Sequence, residues 1–219
     1  MMHAPSRKPD NDPILHRSWT RTCQRIGARS ADDALFQALV AACSEPQRHY
    51  HSTQLLIECL NQFESAQSLC EHAAEVEVAL WFHDVIYDVH RSDNEALSAD
   101  WARRAAVEGA VQVEVADRIH ALIMATKHTV NPAGTDEQVL IDIDLSILGA
   151  GTVRFAEYER QIRDEYAHVP VPLFSQKRRA ILQSFLDRPR IYCTPHFHAA
   201  LEETARANLR AAIAATPAR

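Results

Sequence analysis

The chain has 219 residues, 47% hydrophobic and 24% charged, with a formal net charge of −6. That is the size of one domain with trimmings. Five glycines exclude a collagen-like, linker-rich or glycine-turn-rich all-β chain. The acidic balance argues against a dedicated nucleic-acid binder, which needs a basic surface to neutralise phosphates.

Residues 1–12 are polar and lack the apolar stretch of a signal peptide, so they are expected to form a flexible tail on a cytoplasmic protein. Residues 13–219 read as one helical domain. Leu15, Trp19, Cys23 and Ile26, spaced by three and four, predict a first helix. Ser30 followed by Asp33 resembles a capping box opening a second helix through about Cys43, stopped near Pro46. Helical periodicity continues over roughly 50–64, 70–88, 93–108, 111–126, 137–149, 152–168, 174–187 and 196–214. Asn131-Pro132 and Gly134 mark a loop before the seventh helix, and Val169-Pro170-Val171-Pro172 reads as a breaker. No strand-type alternation stands out. The expectation is all-α: a compact bundle of about nine helices. No apolar run approaches the roughly 18 residues that span a membrane. The five cysteines are an odd number without a CxxC pair and read as reduced core residues.

The segment ALWFHDVIYD, residues 79–88, carries the chemistry. Read as continuous helix, it puts His83, Asp84, Tyr87 and Asp88 in a sector about 140° wide, with Phe82, Val85 and Ile86 opposite. Leu80 and Trp81 beside that sector make poor solvent-facing neighbours. Carboxylates between apolar flanks suggest an interior polar site, and buried carboxylates are costly unless paired or bound to a cation. Imidazole and carboxylate together suit Mn, Fe, Co, Ni or Zn. Further donors must come from other helices.

VLIDIDLSILG, residues 139–149, supplies one. At 100° per residue Asp144 falls in the middle of the apolar face, whereas Asp142 shares a polar edge with Ser146 and reads as solvated. An isolated buried Asp would have a raised pKa or destabilise the fold, which a metal or a cationic partner prevents. Upstream, His51 lies one turn before Leu55, at the edge of an apolar face, while His49 points elsewhere. Downstream, Lys127 and His128 end a helix, where they suit either an anionic substrate or the helix C-terminus itself. Lys177, Arg178 and Arg179 form a short basic run that reads as a solvated helix face.

His51, then His83-Asp84, then Asp144, all on helices, resembles the HD superfamily of metal-dependent phosphohydrolases. The strings RHYHS, ALWFHDVIYD, RSDNEALSA, ATKHT and DIDLSILG are similar to a family of predicted bacterial HD phosphohydrolases without a defined substrate. The motifs run from Arg48 to Gly149. One departure is Leu55, where a second His one turn after the first is common.

The resemblance implies His51, His83, Asp84 and Asp144 as ligands of one divalent cation: Mn, Co, Ni, Mg, Fe or Zn. The reaction it implies is hydrolysis of a phosphate ester in a nucleotide or other small phosphorylated molecule by metal-activated water. Asp88, four residues after Asp84, is the expected general base, or orients the water. Arg48, Lys127 and His128 are the expected contacts to the substrate anion, with His128 alternatively a ligand of a second metal. Ser92 and Glu95 read as a capping box opening the next helix. Two rival functions remain at this point: a di-iron oxygenase, given His90, His120 and His128 between the HD pair and Asp144, and a non-catalytic ligand-binding module that keeps its metal. No oligomeric signal is read.

Overall fold

The computed structural model describes residues 13–29, 31–128 and 132–215. Its helices are α1 (Pro13–Ile26), α2 (Asp33–Ala42), α3 (Thr53–Ala66), α4 (Ala73–Phe82), α5 (Asn94–Glu108), α6 (Val113–Ala125), α7 (Thr135–Asp144), α8 (Thr152–Glu165), α9 (Val171–Leu186) and α10 (Pro195–Ala215). Short 3-10 turns follow α3 (Gln67–Leu69) and α7 (Leu145–Gly149), and no strand occurs among the described residues. The described residues are therefore all-α, with ten helices rather than about nine. No helix of the described residues is long and apolar enough to cross a membrane.

α4 is the central element because its sequence is buried on every side, from Glu75 through Phe82. A helix apolar all round belongs inside a bundle, and α1, α3, α5, α6 and α7 all pack against it. Trp81 meets Trp19 of α1 edge-on at 5.3 Å between ring centroids and lies 5.9 Å from Phe36 of α2. Each such side chain contributes about 1.5–3 kcal/mol by leaving water. One contiguous core runs from Leu15 to Leu209.

α4 also carries two buried acids, and both are paired. Ser18 Oγ donates to Glu77 at 2.7 Å, and the Arg21 guanidinium closes on the same carboxylate. Trp81 Nε1 donates to Ser18 Oγ at 3.0 Å. Glu75 is held by Arg118 of α6 at 2.5 and 2.8 Å. Partners of this kind are what make an ionised group tolerable inside a protein. The five cysteines are free; burial pushes the Cys43 thiol up to about 11 and that of Cys59 well above its ordinary value.

Several boundaries differ from those read in the sequence. α2 starts after Asp32, whose carboxylate accepts from Ala34 N at 2.8 Å; Ser30 and residues 1–12 lie outside the described residues. The Ser92–Glu95 capping box does not form. Asp93 is the N-cap of α5, and its carboxylate is taken by Arg91 at 2.8 Å. The Val-Pro-Val-Pro run starts α9 instead of merely breaking the chain, since Pro172 sits in its first turn, where no N–H is required.

The largest difference concerns α4, which ends at Phe82 rather than running to residue 88. His83 N still donates to Ala79 O at 2.8 Å, but Val85 N turns back to Phe82 O and Ile86 N goes to Ser98 Oγ of α5. The carbonyls freed at a helix end need donors. Arg48 supplies them, with Nη1 to Asp84 O and Nη2 to Val85 O at 2.7 Å.

α10 anchors the other side of the site. Asp142 is fully buried, contrary to its solvated reading, and accepts Cys193 N, Thr194 N and Thr194 Oγ, each at 2.7 Å. It thus organises the start of α10 from within α7. Asn208 of α10 donates to Leu148 O at 2.9 Å and to Ala150 O at 2.8 Å, clamping the turn that follows Asp144.

Candidate functional site

His83 and Asp84 sit in the sharp turn at the end of α4, and Asp144 is the last residue of α7. His83 is only 3% exposed. Its Nδ1 donates to Leu80 O at 2.9 Å, so in the neutral ring the lone pair lies on Nε2. That Nε2 lies 3.1 Å from Asp84 Oδ2 and 3.7 Å from Asp144 Oδ1. It is buried without an aligned hydrogen-bond partner among the described residues.

His128 completes the group. Its Nε2 lies 3.0 Å from Asp144 Oδ2, while its Nδ1 has no partner among the described residues. The residue follows α6 in a left-handed conformation, φ 53°, with its N–H on Ala125 O at 3.2 Å. Such a backbone is uncommon outside glycine, though histidine is among the residues enriched there. The turn that closes α6 aims the imidazole at Asp144, not at the last carbonyls of the helix.

His51 approaches from the turn before α3. Its Nδ1 is 2.7 Å from Glu165 Oε2, at the end of α8, and its ring stacks on Tyr87 at 3.9 Å. Tyr87 OH donates to the same Glu165 oxygen at 3.1 Å. His51, His83 and Asp84 border one small gap in the interior, lined otherwise by residues such as Leu55 and Leu80.

The charges in this group perturb one another. Burial pushes the His83 imidazole down, but the Asp84 and Asp144 carboxylates outweigh it and raise its pKa. Burial pushes Asp84 up, yet His83, His51 and Arg48 hold it well below the usual carboxylate range. Glu165 behaves alike: against burial, hydrogen bonds from the His51 side chain and from the N–H groups of His51 and Tyr50 hold it at about 2.

His51, His83, Asp84, His128 and Asp144 all line one cavity of about 650 Å³. Its wall includes Tyr158 of α8, and Phe174, Lys177, Arg178 and Phe185 of α9. Lys177 is exposed at this wall and has no ion-pair partner among the described residues. Arg178 is 8% exposed, pairs with Glu159 at 2.5 Å and lies over the Tyr158 ring at 5.0 Å. The basic run at 177–179 is therefore not simply a solvated helix face.

Three expected site residues lie elsewhere. Asp88 is exposed and does not line this cavity; Oδ1 accepts His90 N at 2.9 Å, and its backbone exchanges hydrogen bonds with Asn94. Its shared face with Asp84 required helix through residue 88, and that helix ends six residues earlier, so the general-base role loses its geometric basis. Arg48 is buried with its guanidinium on Glu45 and on the carbonyls of His51, Asp84 and Val85, leaving it a brace of the turn rather than an anion contact. Lys127 is half-buried and outside the cavity wall.

Glu165 escaped the sequence reading, because nothing in its local string marks it and 114 positions separate it from His51. Lys177 left a signal, the basic run itself, but not its direction.

The donor types suit a divalent cation: two imidazoles and two carboxylates around a buried, unpartnered Nε2. Among the described residues, no three His, Cys, Asp or Glu side chains stand in a ready-made metal arrangement. The carboxylates of Asp84 and Asp144 are instead drawn against His83 and His128. The residues suit such an ion in donor type, and they line one cavity. No protein-family model, no curated protein and no solved structure matches the chain.

Proposed function

We propose that this chain is a metal-dependent phosphohydrolase of the HD type, cleaving a phosphate ester of a nucleotide or another small phosphorylated molecule. One observation carries the reading. A deeply buried imidazole, His83, sets Nε2 3.1 Å from Asp84 and 3.7 Å from Asp144, with no aligned hydrogen-bond partner among the described residues, at a cavity large enough for a small molecule. Leaving a buried polar atom unpaired costs free energy, so a ligand at that point is the economical explanation.

His51, His83, Asp84 and Asp144 are the residues that would hold the ion, whether Mn, Co, Ni, Mg, Fe or Zn. When bound there, a divalent cation supplies Lewis acidity: it lowers the pKa of a coordinated water and offsets charge on a phosphoryl oxygen. The chain's own residues do the remaining work. The Leu80 carbonyl fixes the His83 ring and its tautomer. Lys177 brings a positive charge to the wall where a phosphoryl group enters. Tyr158, Phe174 and Phe185 exclude water and so strengthen those electrostatic contacts. His128, hydrogen-bonded to Asp144, is positioned to hold a proton for a departing oxygen.

The test uses the purified full-length chain, its bound metals measured by mass spectrometry, and a panel of phosphomonoesters and nucleotides with each metal. The expected result is one divalent ion per chain and turnover of at least one ester. Both should be lost in His83→Ala and Asp84→Asn while circular dichroism stays unchanged. Undiminished turnover in those variants would overturn the proposal.

A further inference from the structure

We propose that Glu165 is the positioning residue of this site: it fixes His51 as the Nδ1–H tautomer, so that the bare Nε2 is the nitrogen given to the cavity. The inference rests on the reading of His51 as a ligand only for its consequence, not for its geometry.

The Glu165 side chain is fully buried and collects five hydrogen bonds on two oxygens. Oε1 accepts the N–H groups of three successive residues, His49, Tyr50 and His51, at 2.9, 2.7 and 2.9 Å. Oε2 receives His51 Nδ1 at 2.7 Å and Tyr87 OH at 3.1 Å. The division of labour is what matters. One oxygen holds the backbone turn that carries His51, and the other holds the ring.

An ionised carboxylate only accepts. The nitrogen facing it must therefore carry the proton, which leaves Nε2 bare in the neutral ring. The ring has little freedom to turn over, because Tyr87 stacks on one side at 3.9 Å and Tyr50 meets it edge-on at 4.9 Å. A carboxylate behind a ligand histidine sets ring orientation and raises ligand basicity. Here that partner comes from α8, an element outside the segment Arg48 to Gly149 that carries the sequence motifs.

Glu165→Gln separates positioning from packing. The amide has the same shape, and its oxygen still accepts the three backbone N–H groups. Its nitrogen, however, donates. Opposite Nδ1 it favours a bare Nδ1 and moves the proton to Nε2, the nitrogen on the cavity side.

The experiment is long-range proton–nitrogen NMR of the metal-free, histidine-labelled full chain at pH 8, with His51 identified by its loss in His51→Asn. The expected result is an Nδ1–H ring in the wild type and an Nε2–H ring in Glu165→Gln. Zn²⁺ affinity of that variant, by calorimetry, should fall about 10–100-fold. An Nε2–H or doubly protonated ring in the wild type overturns the proposal, as does an unchanged tautomer in Glu165→Gln. A switched tautomer with unchanged Zn²⁺ affinity removes the link to the site. If Glu165→Gln does not fold, the wild-type spectrum decides, with Tyr87→Phe as the variant expected to keep the Nδ1–H form. Failure of the wild type to bind Zn²⁺ counts against the ligand reading, and the tautomer result still decides the role of Glu165.

Discussion

Arg48 grips Asp84 by its backbone: Arg48 Nη1 donates to the carbonyl oxygen of Asp84, and Nη2 reaches Val85 O at 2.7 Å. The guanidinium thereby replaces the hydrogen bonds that another turn of α4 would have made. It also donates to His51 O at 3.3 Å, so one side chain joins the turn bearing His83-Asp84 to the turn bearing His51. The planar five-donor fork of arginine suits several carbonyls at once, which an ammonium cannot match.

Arg48→Ala should therefore act on stability. Buried carbonyls left without donors cost about 1–3 kcal/mol each, and a total loss of about 2–4 kcal/mol is expected. Thermal or urea denaturation measures it. Arg48→Lys should recover only part of the loss. A stable Arg48→Ala protein with a raised KM for a phosphoester would instead restore Arg48 as an anion contact.

This arrangement also marks what a sequence can and cannot reveal. The helical periodicity around Leu15, Trp19 and Cys23 was legible because one face of α1 is buried and the other is not. α4 gives no such contrast, since both faces are buried, and its C-terminal end could not be placed by period. The apolar string continues past Phe82, and the device that stops the helix, Arg48, lies 36 positions away from Asp84. Asp88 was misplaced by the same overextension. His51, His83, Asp84, His128 and Asp144 do line one cavity, although all but Asp144 sit in turns at helix ends and not on helices, and polar groups set among apolar strings were the visible signal. Asp142 looked solvated from its angle on α7 because α10, which buries it, is a long-range contact.

Asp142→Ala tests that burial. It leaves the N–H groups of Cys193 and Thr194 without their acceptor at the start of α10. Orphaned buried N–H groups cost about 1–3 kcal/mol each, so a total of about 2–4 kcal/mol is expected. Denaturation midpoints should fall accordingly. A change within about 0.5 kcal/mol would mean that the start of α10 is held by other contacts.

Glu202 predicts the acid limb of stability. Burial pushes its pKa up, but the N–H groups of Ile191 and Tyr192 and the Arg206 guanidinium outweigh burial and lower it; His198 Nδ1 lies 3.3 Å away. A carboxyl with a lower pKa folded than unfolded stabilises the fold above its unfolded value, roughly pH 4.3, and loses that contribution as the pH falls. Asp142, whose pKa is raised chiefly by burial, works in the opposite direction. Urea midpoints between about pH 6 and 3 should fall less steeply in Glu202→Gln than in the wild type. Parallel curves would show that Glu202 titrates alike in both states.

Lys177 and Lys127 give the sharpest contrast at the site itself. Lys177 lines the cavity shared by His83, Asp84 and Asp144, and Lys127 does not. A charge-assisted contact to a phosphoryl oxygen contributes about 1.5–3 kcal/mol, or roughly 10-fold or more in binding. If the contact is made equally in the ground and transition states, its removal raises KM and leaves kcat nearly unchanged. Lys177→Ala should accordingly raise KM about 10-fold on whichever phosphoester the panel identifies, with kcat within about 3-fold. Lys127→Ala should change neither. Steady-state kinetics at low and high salt would check both, since loss of the Lys177 charge should also weaken the salt dependence of KM. The reverse ranking of the two variants would return the anion site to the loop after α6 and remove α9 from substrate binding.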